Sequence, residues 1–223
     1  CLFKGAKQMS FSTMLMQLSS GMVKSMGIFF WTIILSLPLG LFVSFGRMSK
    51  NPALKNIVKV YISVMRGTPL MLQLMIVYYC PFLLFGMNIR TFRFPSIIIG
   101  FTINYAAYFA EIFRSGIESM PVGQYEAAKL LGYSKSQTFV KIILPQVIKR
   151  ILPSITNEVI TLVKDTSLAF SLAYMEMFTV AKQIVAKEST FTPFIVAAIF
   201  YYVFNFVVAA VMEHFEKKLS YYR

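Results

Sequence analysis

Two adjacent ionisable residues in an apolar stretch carry the strongest chemical signal in the chain: Lys164 and Asp165, followed by Thr166 and Ser167. Ionisable groups at membrane depth are costly enough to count as functional candidates by default. An ammonium beside a carboxylate matches the two ends of a zwitterion, Lys164 for an α-carboxylate and Asp165 for an α-amino group. Adjacent side chains on a regular helix point about 100° apart, so these two do not pair across one face. Unwinding at Thr166-Ser167 would let both side chains and the freed backbone groups line a cavity. The competing reading pairs them with neighbouring spans as scaffold, as buried charges also do. Residue types alone leave both readings standing.

A second rank of polar candidates comprises Arg66, Gln73, Asn104 and Tyr108. Each can line a path or make an interhelical hydrogen bond worth ~0.6–2 kcal/mol in a membrane. Glu111 and Arg114 stand three apart on one helical face, which suits an ion pair. Cys1 and Cys80 have neither metal spacing nor a disulfide framework, and the single His214 has no partner in sequence. That set supplies no nucleophile–base pair or metal cluster, which speaks against a membrane-embedded enzyme. The chain also lacks the Gly-x4-Gly-Lys-Ser/Thr pattern, so it is not expected to hold ATP itself.

The elements that must position these residues follow from composition. The 223 residues are 57% hydrophobic and 14% charged, with mean hydropathy +0.65. This is a membrane composition rather than that of a soluble domain. Lys and Arg number 22 against 9 Asp and Glu, a net +13. The cations fall between apolar runs, which points to inner-surface anchoring and lipid contact, with no nucleic acid as partner.

Five spans are expected, at about residues 25–46, 57–84, 95–117, 151–170 and 192–211. Arg66-Gly67-Thr68-Pro69 interrupts the second, and Pro38 lies inside the first. Residues 9–22 fit a short amphipathic helix on the membrane surface or a frayed leader. Residues 171–189 read as a short helix at or beyond the outer surface. The resulting organisation is an N-terminal amphipathic segment (1–24), a transmembrane domain (25–215) with a surface loop at about 119–145, and a tail (216–223). No cleavable signal peptide is expected.

Arg47, Lys50, Lys55 and Lys59, then Lys129, Lys135, Lys141, Lys149 and Arg150, then Lys217, Lys218 and Arg223 mark the cytoplasmic side. Arg90, Arg93, Lys182 and Lys187 occupy the outer loops. This puts the N-terminus outside and the C-terminus inside, with Lys4, Lys7 and Lys24 running against the rule.

The stretch Glu126 to Pro145 is too polar for hydrocarbon, so it must be a surface loop with helical content of its own. Its helix closes at Gly132, and a basic polar connection, Tyr133 to Lys141, follows. The spacing is Glu-Ala-Ala, three residues, Gly, nine residues, then Ile-x-Leu-Pro. Glu126, Ala127, Ala128, Gly132, Ile142, Leu144 and Pro145 satisfy it. These residues resemble the Glu-Ala-Ala loop of bacterial ABC importer permeases.

From about Gly21 onward the chain is similar to the polar amino-acid uptake branch of that family. The resemblance is carried by Arg66-Gly67-Thr68-Pro69-Leu70, Asn104-Tyr105-Ala106-Ala107-Tyr108, Ala110 to Ile117, the loop itself, and Leu162 to Leu168. One departure is Ser115, where a second Gly is more usual.

The resemblance implies an all-α membrane protein, with five transmembrane helices of the type I importer architecture, multi-pass in the bacterial cytoplasmic membrane. It implies a transport subunit, not an enzyme, importing a polar amino acid with energy from ATP hydrolysed elsewhere. The expected partners are ATP-binding cassettes, a second permease subunit (identical or closely related) and an extracellular substrate-binding protein. No cofactor belongs to this chain; ATP and magnesium reside on the cassettes. The Lys164 to Ser167 stretch would lie at a break beside the translocation path.

Tyr125, Glu126, Ala127, Ala128 and Gly132 would form the helix that couples to the cassette. Glu126 would reach basic groups there or the loop's own backbone donors. Its plainer reading is a helix-start carboxylate worth ~0.3–1 kcal/mol. The alternatives are a permease for another small solute and, less favoured, an ion-coupled secondary transporter, whose inverted repeats are not seen.

Overall fold

The computed structural model describes residues 9–86 and 91–219, and among these all regular structure is helical. Lys4, Lys7, Arg90 and Arg223, which enter the charge argument above, lie outside the described residues. In order come α1 (Phe11–Arg47), α2 (Pro52–Gly67), α3 (Leu70–Phe85), α4 (Arg93–Glu118), α5 (Val122–Leu130) and α6 (Lys135–Thr138). A π-helical turn (Phe139–Ile143), α7 (Leu144–Asp165), a 3-10 helix (Thr166–Leu172), α8 (Met177–Glu188) and α9 (Thr192–Leu219) complete the chain.

Helices α1, α4 and α9 are each long and apolar enough to cross a membrane. Two bent pairs, α2 with α3 and the helical run 135–172 with α8, pass the same test and raise the number of candidate spans to five. On α1 and α9 large apolar side chains such as Phe30, Trp31, Phe42, Ile199 and Phe206 stay exposed, as on helices that face lipid.

The expected separate helix at 9–22 does not exist as such. It is the first part of α1, which runs unbroken for 37 residues, so Lys24 marks no element boundary. Met14, Leu18 and Met22, within the stretch expected on the membrane surface, are buried in protein. The α1 helix also carries a stripe of small residues that a search for glycines alone overlooks: Gly21, Ser25, Thr32, Ser36, Gly40 and Ser44. The three serines and the threonine have no exposed surface. Small side chains allow close approach between helices where lipid supplies no hydrophobic drive.

Helix α2 starts conventionally. The Asn51 side chain accepts the Ala53 amide at 2.9 Å, and Pro52 sits in the first turn, where it loses no helical bond. It ends at the break expected from sequence. Thr68 is extended (φ −120°, ψ 151°), because Pro69 disfavours a helical predecessor. Thr68 and Pro69 separate it from α3.

Two expectations about the later chain are corrected. The connection Tyr133 to Lys141 is not a simple polar linker. Ser134 and Gln137 form a reciprocal capping box that starts α6 at Lys135, and the helix continues. The ladder then slips by one residue, with the Leu144 amide reaching the Phe139 carbonyl in a π turn. Pro145, which lacks an amide and crowds the carbonyl four residues before it, accounts for that slip. Nor does α7 unwind at Thr166-Ser167; it tightens into the 3-10 helix. The Thr166 and Ser167 hydroxyls donate back to the Val163 and Lys164 carbonyls at 2.8 Å each. The chain leaves helical geometry later, at Ala173, which has φ 51°.

The chain divides into two compact units. The first comprises Cys1–Trp31, Met71–Gly100 and Leu162–Val207. Its core contains Leu18, Ile28, Leu74, Ile97, Leu162 and Met177. The second comprises Thr32–Leu70, Phe101–Thr161 and Val208–Arg223, centred on Phe101, Tyr105, Phe109, Ile143 and Val147.

Candidate functional site

The predicted site residues fall into three groups. Lys164, Asp165, Thr166, Ser167 and Gln73 belong to the first unit. Lys164 is the last basic residue of α7 and is exposed, Asp165 is half-buried, and Thr166 has no exposed surface. The ammonium and the carboxylate thus leave the protein core just where α-helical geometry changes to 3-10. Gln73 is buried on α3.

The turn that carries these residues is held at its far end. Arg93, at the start of α4, donates to the Ala173 carbonyl at 3.2 Å and to the Tyr78 hydroxyl at 3.4 Å. Just beyond, Glu176 is wholly buried and caps α8, accepting the Phe178 and Thr179 amides at 2.7 Å each and the Thr179 hydroxyl at 2.8 Å. The Tyr201 hydroxyl of α9 reaches the same carboxylate at 3.2 Å. Glu176 lies in the segment, residues 171–189, expected as a short helix at or beyond the outer surface. An acidic residue just before an apolar helix is an N-cap signal that was there to be read. Nothing in sequence singles Tyr201 out of the aromatic run of α9.

Arg66, Asn104 and Tyr108 come together in the second unit. The Arg66 guanidinium lies 5.2 Å from the centroid of the Tyr108 ring, a cation–π arrangement. The Asn104 amide donates to the Met65 carbonyl at 3.1 Å, satisfying an acceptor in the last turn of α2, while Tyr61 donates to the Ile103 carbonyl. The expected Glu111–Arg114 pair forms at 2.7 Å and extends to Glu118 at 2.5 Å and Arg47 at 3.7 Å.

The Glu-Ala-Ala stretch lies in the second unit as α5. The helix begins at Val122, so Glu126 is four residues in and exposed; it is not a helix-start carboxylate. Ala128 is buried, whereas Val122, Leu130 and Leu131 project, Leu130 at 90% exposure. Tyr125 stands at the edge of exposure, and partial burial pushes its phenol pKa up, so it remains neutral. Gly132 has φ +79°, and the Tyr133 amide returns to the Ala128 carbonyl at 3.0 Å, a Schellman ending.

The stretch is tied to α7 from below and above. Arg150 donates to the Ser119 carbonyl at 2.8 Å and hydroxyl at 3.1 Å, and Gln124 and Gln146 exchange hydrogen bonds at 2.9 and 3.0 Å. A groove of ≈ 940 Å³ opens beside these contacts, lined by Met120, Pro121, Ile142 and Pro145 with Lys149 and Arg150. Among the described residues no group of three or more His, Cys, Asp and Glu is placed to hold a metal ion.

Known proteins match this chain nearly end to end. It is 35% identical over 207 residues to the L-cystine transport system permease protein of Bacillus subtilis, covering 92% of this chain and 87% of that protein. It is 38% identical over 189 residues to a putative glutamine transport system permease of Rickettsia bellii, covering 84% and 85%. Among solved structures, an amino acid ABC transporter with histidines superposes with TM-score 0.84 at 30% identity over 96% of this chain. The inward-facing MetNI methionine ABC transporter superposes with TM-score 0.71 at 16% identity, a likeness of fold alone. Residues 36–221 match the profile of one family throughout. The chain therefore belongs to the family of binding-protein-dependent transport system inner membrane components.

Proposed function

We propose that this chain is the permease subunit of an ABC importer that moves a polar amino acid across the bacterial cytoplasmic membrane. The observation that carries this reading is Lys164-Asp165: opposite charges emerge from a buried core at a change of helix type, in a family of transport components. Lys164 meets the α-carboxylate of the substrate and Asp165 its α-ammonium. Charge-assisted bonds of this kind supply both affinity and orientation. Relatives named for cystine and glutamine support the substrate class.

The energy enters elsewhere. ATP-binding cassettes close on nucleotide and move α5, whose projecting Leu130 and Leu131 offer the apolar contact that a partner would cover. Gly132 lets the chain turn back at once into α6 and α7, and Arg150 and Gln146 transmit the displacement to α7. That helix ends at Asp165. A second permease subunit completes the path, and an extracellular binding protein delivers the amino acid. The N-terminus lies outside and the C-terminus inside.

The test is ATPase activity of the purified permease–cassette complex in liposomes, with a panel of amino acids and their binding proteins. Stimulation by one polar amino acid, lost in Lys164→Ala, is the expected result. A complex that hydrolyses ATP yet ignores every amino acid would move the substrate to another class of small solute.

A further inference from the structure

Apart from the substrate stretch and α5, the second unit holds a basic pocket of ≈ 430 Å³. Arg47 lines it from the end of α1, Lys55, Asn56 and Lys59 from the first half of α2, and Arg114 and Glu118 from the end of α4. Arg47, Lys55 and Lys59 are part of the cluster that marks a membrane side in the sequence. Folding adds Arg114 to them from a distant helix.

The walls of this pocket are held without any ligand. Glu111 pairs with Arg114 at 2.7 Å and with Arg47 at 3.7 Å, and Arg114 reaches on to Glu118 at 2.5 Å. A Cβ on Gly46 would stand 3.0 Å from the Val58 Cγ2, and Ile62 packs with Ala107 and Ala110, so α2 is seated against both α1 and α4. Four cations therefore meet two carboxylates, Glu111 and Glu118, and the guanidinium groups already engage both. Among the described residues the Lys55 and Lys59 ammonium groups make no ion pair. Both side chains are exposed and stand four apart on one face of α2, a spacing at which like charges repel. An anion between them would relieve that repulsion.

The depth of the pocket decides which anion. Helices α1 and α4 are both long and apolar enough to cross a membrane, and both end here. The pocket thus lies where hydrocarbon gives way to headgroups. Exposed apolar side chains stand within two turns on the same helices, Phe42 on α1 and Ile57 and Val60 on α2. We infer that this pocket binds the phosphodiester of an anionic phospholipid, with Lys55 and Lys59 as its main donors and Arg47 and Asn56 beside them. Basic pockets between membrane helices suit such headgroups, and the acyl chains run over the apolar side chains. The bound diester ties the end of α1 and the start of α2 to the end of α4, the helix that leads into α5. This site is independent of which solute the chain transports.

The experiment uses the permease–cassette complex in phosphatidylcholine nanodiscs that contain a graded fraction of phosphatidylglycerol with a photoreactive headgroup. Labelling of the permease should saturate. It should be competed by plain phosphatidylglycerol and not by more phosphatidylcholine. In Lys55→Gln, Lys59→Gln the half-saturating fraction should rise by about fivefold for each ammonium removed, the scale of one basic residue at an anionic membrane surface. Lys55→Arg, Lys59→Arg keeps both charges and should stay within about twofold of wild type. Lys217→Gln, Lys218→Gln removes the same charge at the end of α9, outside the pocket, and should also stay within about twofold.

Equal weakening by both glutamine pairs would mean diffuse attraction to the membrane surface and overturn the site. So would labelling that the Lys55 and Lys59 changes leave unaltered, or that phosphatidylcholine competes equally well. Displacement of the lipid by inorganic phosphate, but not by chloride at matched ionic strength, would make this a site for the free ion and overturn the lipid assignment. Loss of cassette co-purification in Lys55→Gln, Lys59→Gln would assign the pocket to the protein partner instead.

Discussion

Gly40 of α1 packs directly against Phe109 of α4: a Cβ built on Gly40 would stand 2.7 Å from the Phe109 Cβ and 3.1 Å from the Ala106 carbonyl oxygen. Neither neighbour can swing away, since one contact is at the root of a side chain and the other is backbone. Within the second unit these two helices are therefore at the closest separation their surfaces permit.

Gly40→Ala should destabilise the protein by about 1–3 kcal/mol, the usual cost of overpacking a well-filled site. Gly27→Ala is the matched control on the same helix, because a Cβ there meets nothing within 4 Å. Thermal unfolding of the detergent-purified chain should separate the two. Equal melting temperatures would mean that the α1–α4 contact is looser than its geometry indicates.

Leu130 projects at 90% exposure from a nine-residue helix that ends in a Schellman turn. Leu130→Asp should leave the stability of the isolated chain within about 0.5 kcal/mol, as surface changes do. It should, however, cost most of the cassette binding measured by co-purification. Retained co-purification would remove the projecting leucines from the partner interface.

Gly132 adopts φ +79°, where a side chain strains the backbone. Gly132→Ala should cost about 1–2 kcal/mol, concentrated at the end of α5. The readout is local: trypsin should cut faster after Lys129 and Lys135 in the variant than in the parent. Identical cleavage would show that the turn tolerates a Cβ by shifting.

Arg150 donates twice to Ser119, ahead of α5. Arg150→Ala should free the start of α5 without removing any contact of α5 itself. Substrate-stimulated ATPase activity is expected to fall several-fold while basal activity persists, because the displacement of α5 no longer reaches α7 in full. Arg150→Lys should rescue in large part, since both bonds leave one nitrogen, Nη1, and an ammonium can likewise donate to the carbonyl and the hydroxyl. Full stimulation in Arg150→Ala would place the transmission in the Gln124–Gln146 pair instead.

What the sequence by itself determined were features whose cause lies within a few residues. The membrane class follows from apolar content. The break at Thr68-Pro69 follows from the constraint proline puts on its predecessor. The end of α5 follows from Gly132, and the pairing of Glu111 with Arg114 from their three-residue spacing. The family was legible for the same reason, because its pattern from Glu126 to Pro145 is a run of local turn and helix chemistry.

Tertiary structure alone decided features that depend on which helix faces which. Met14, Leu18 and Met22 lie in the stretch expected on the membrane surface, but they are buried because α1 continues without a break. The small-residue stripe on α1 gains meaning only from Met177 and Phe109, distant in sequence. The Lys164-Asp165 segment keeps its helical bonds where sequence suggested unwinding, because Thr166 and Ser167 bond back to the preceding turn. Glu176 meets Tyr201 and Ser25 across 25 and 151 residues of chain. Helix propensity and turn chemistry are properties of neighbours in sequence, whereas the partner of a buried carboxylate is set by packing.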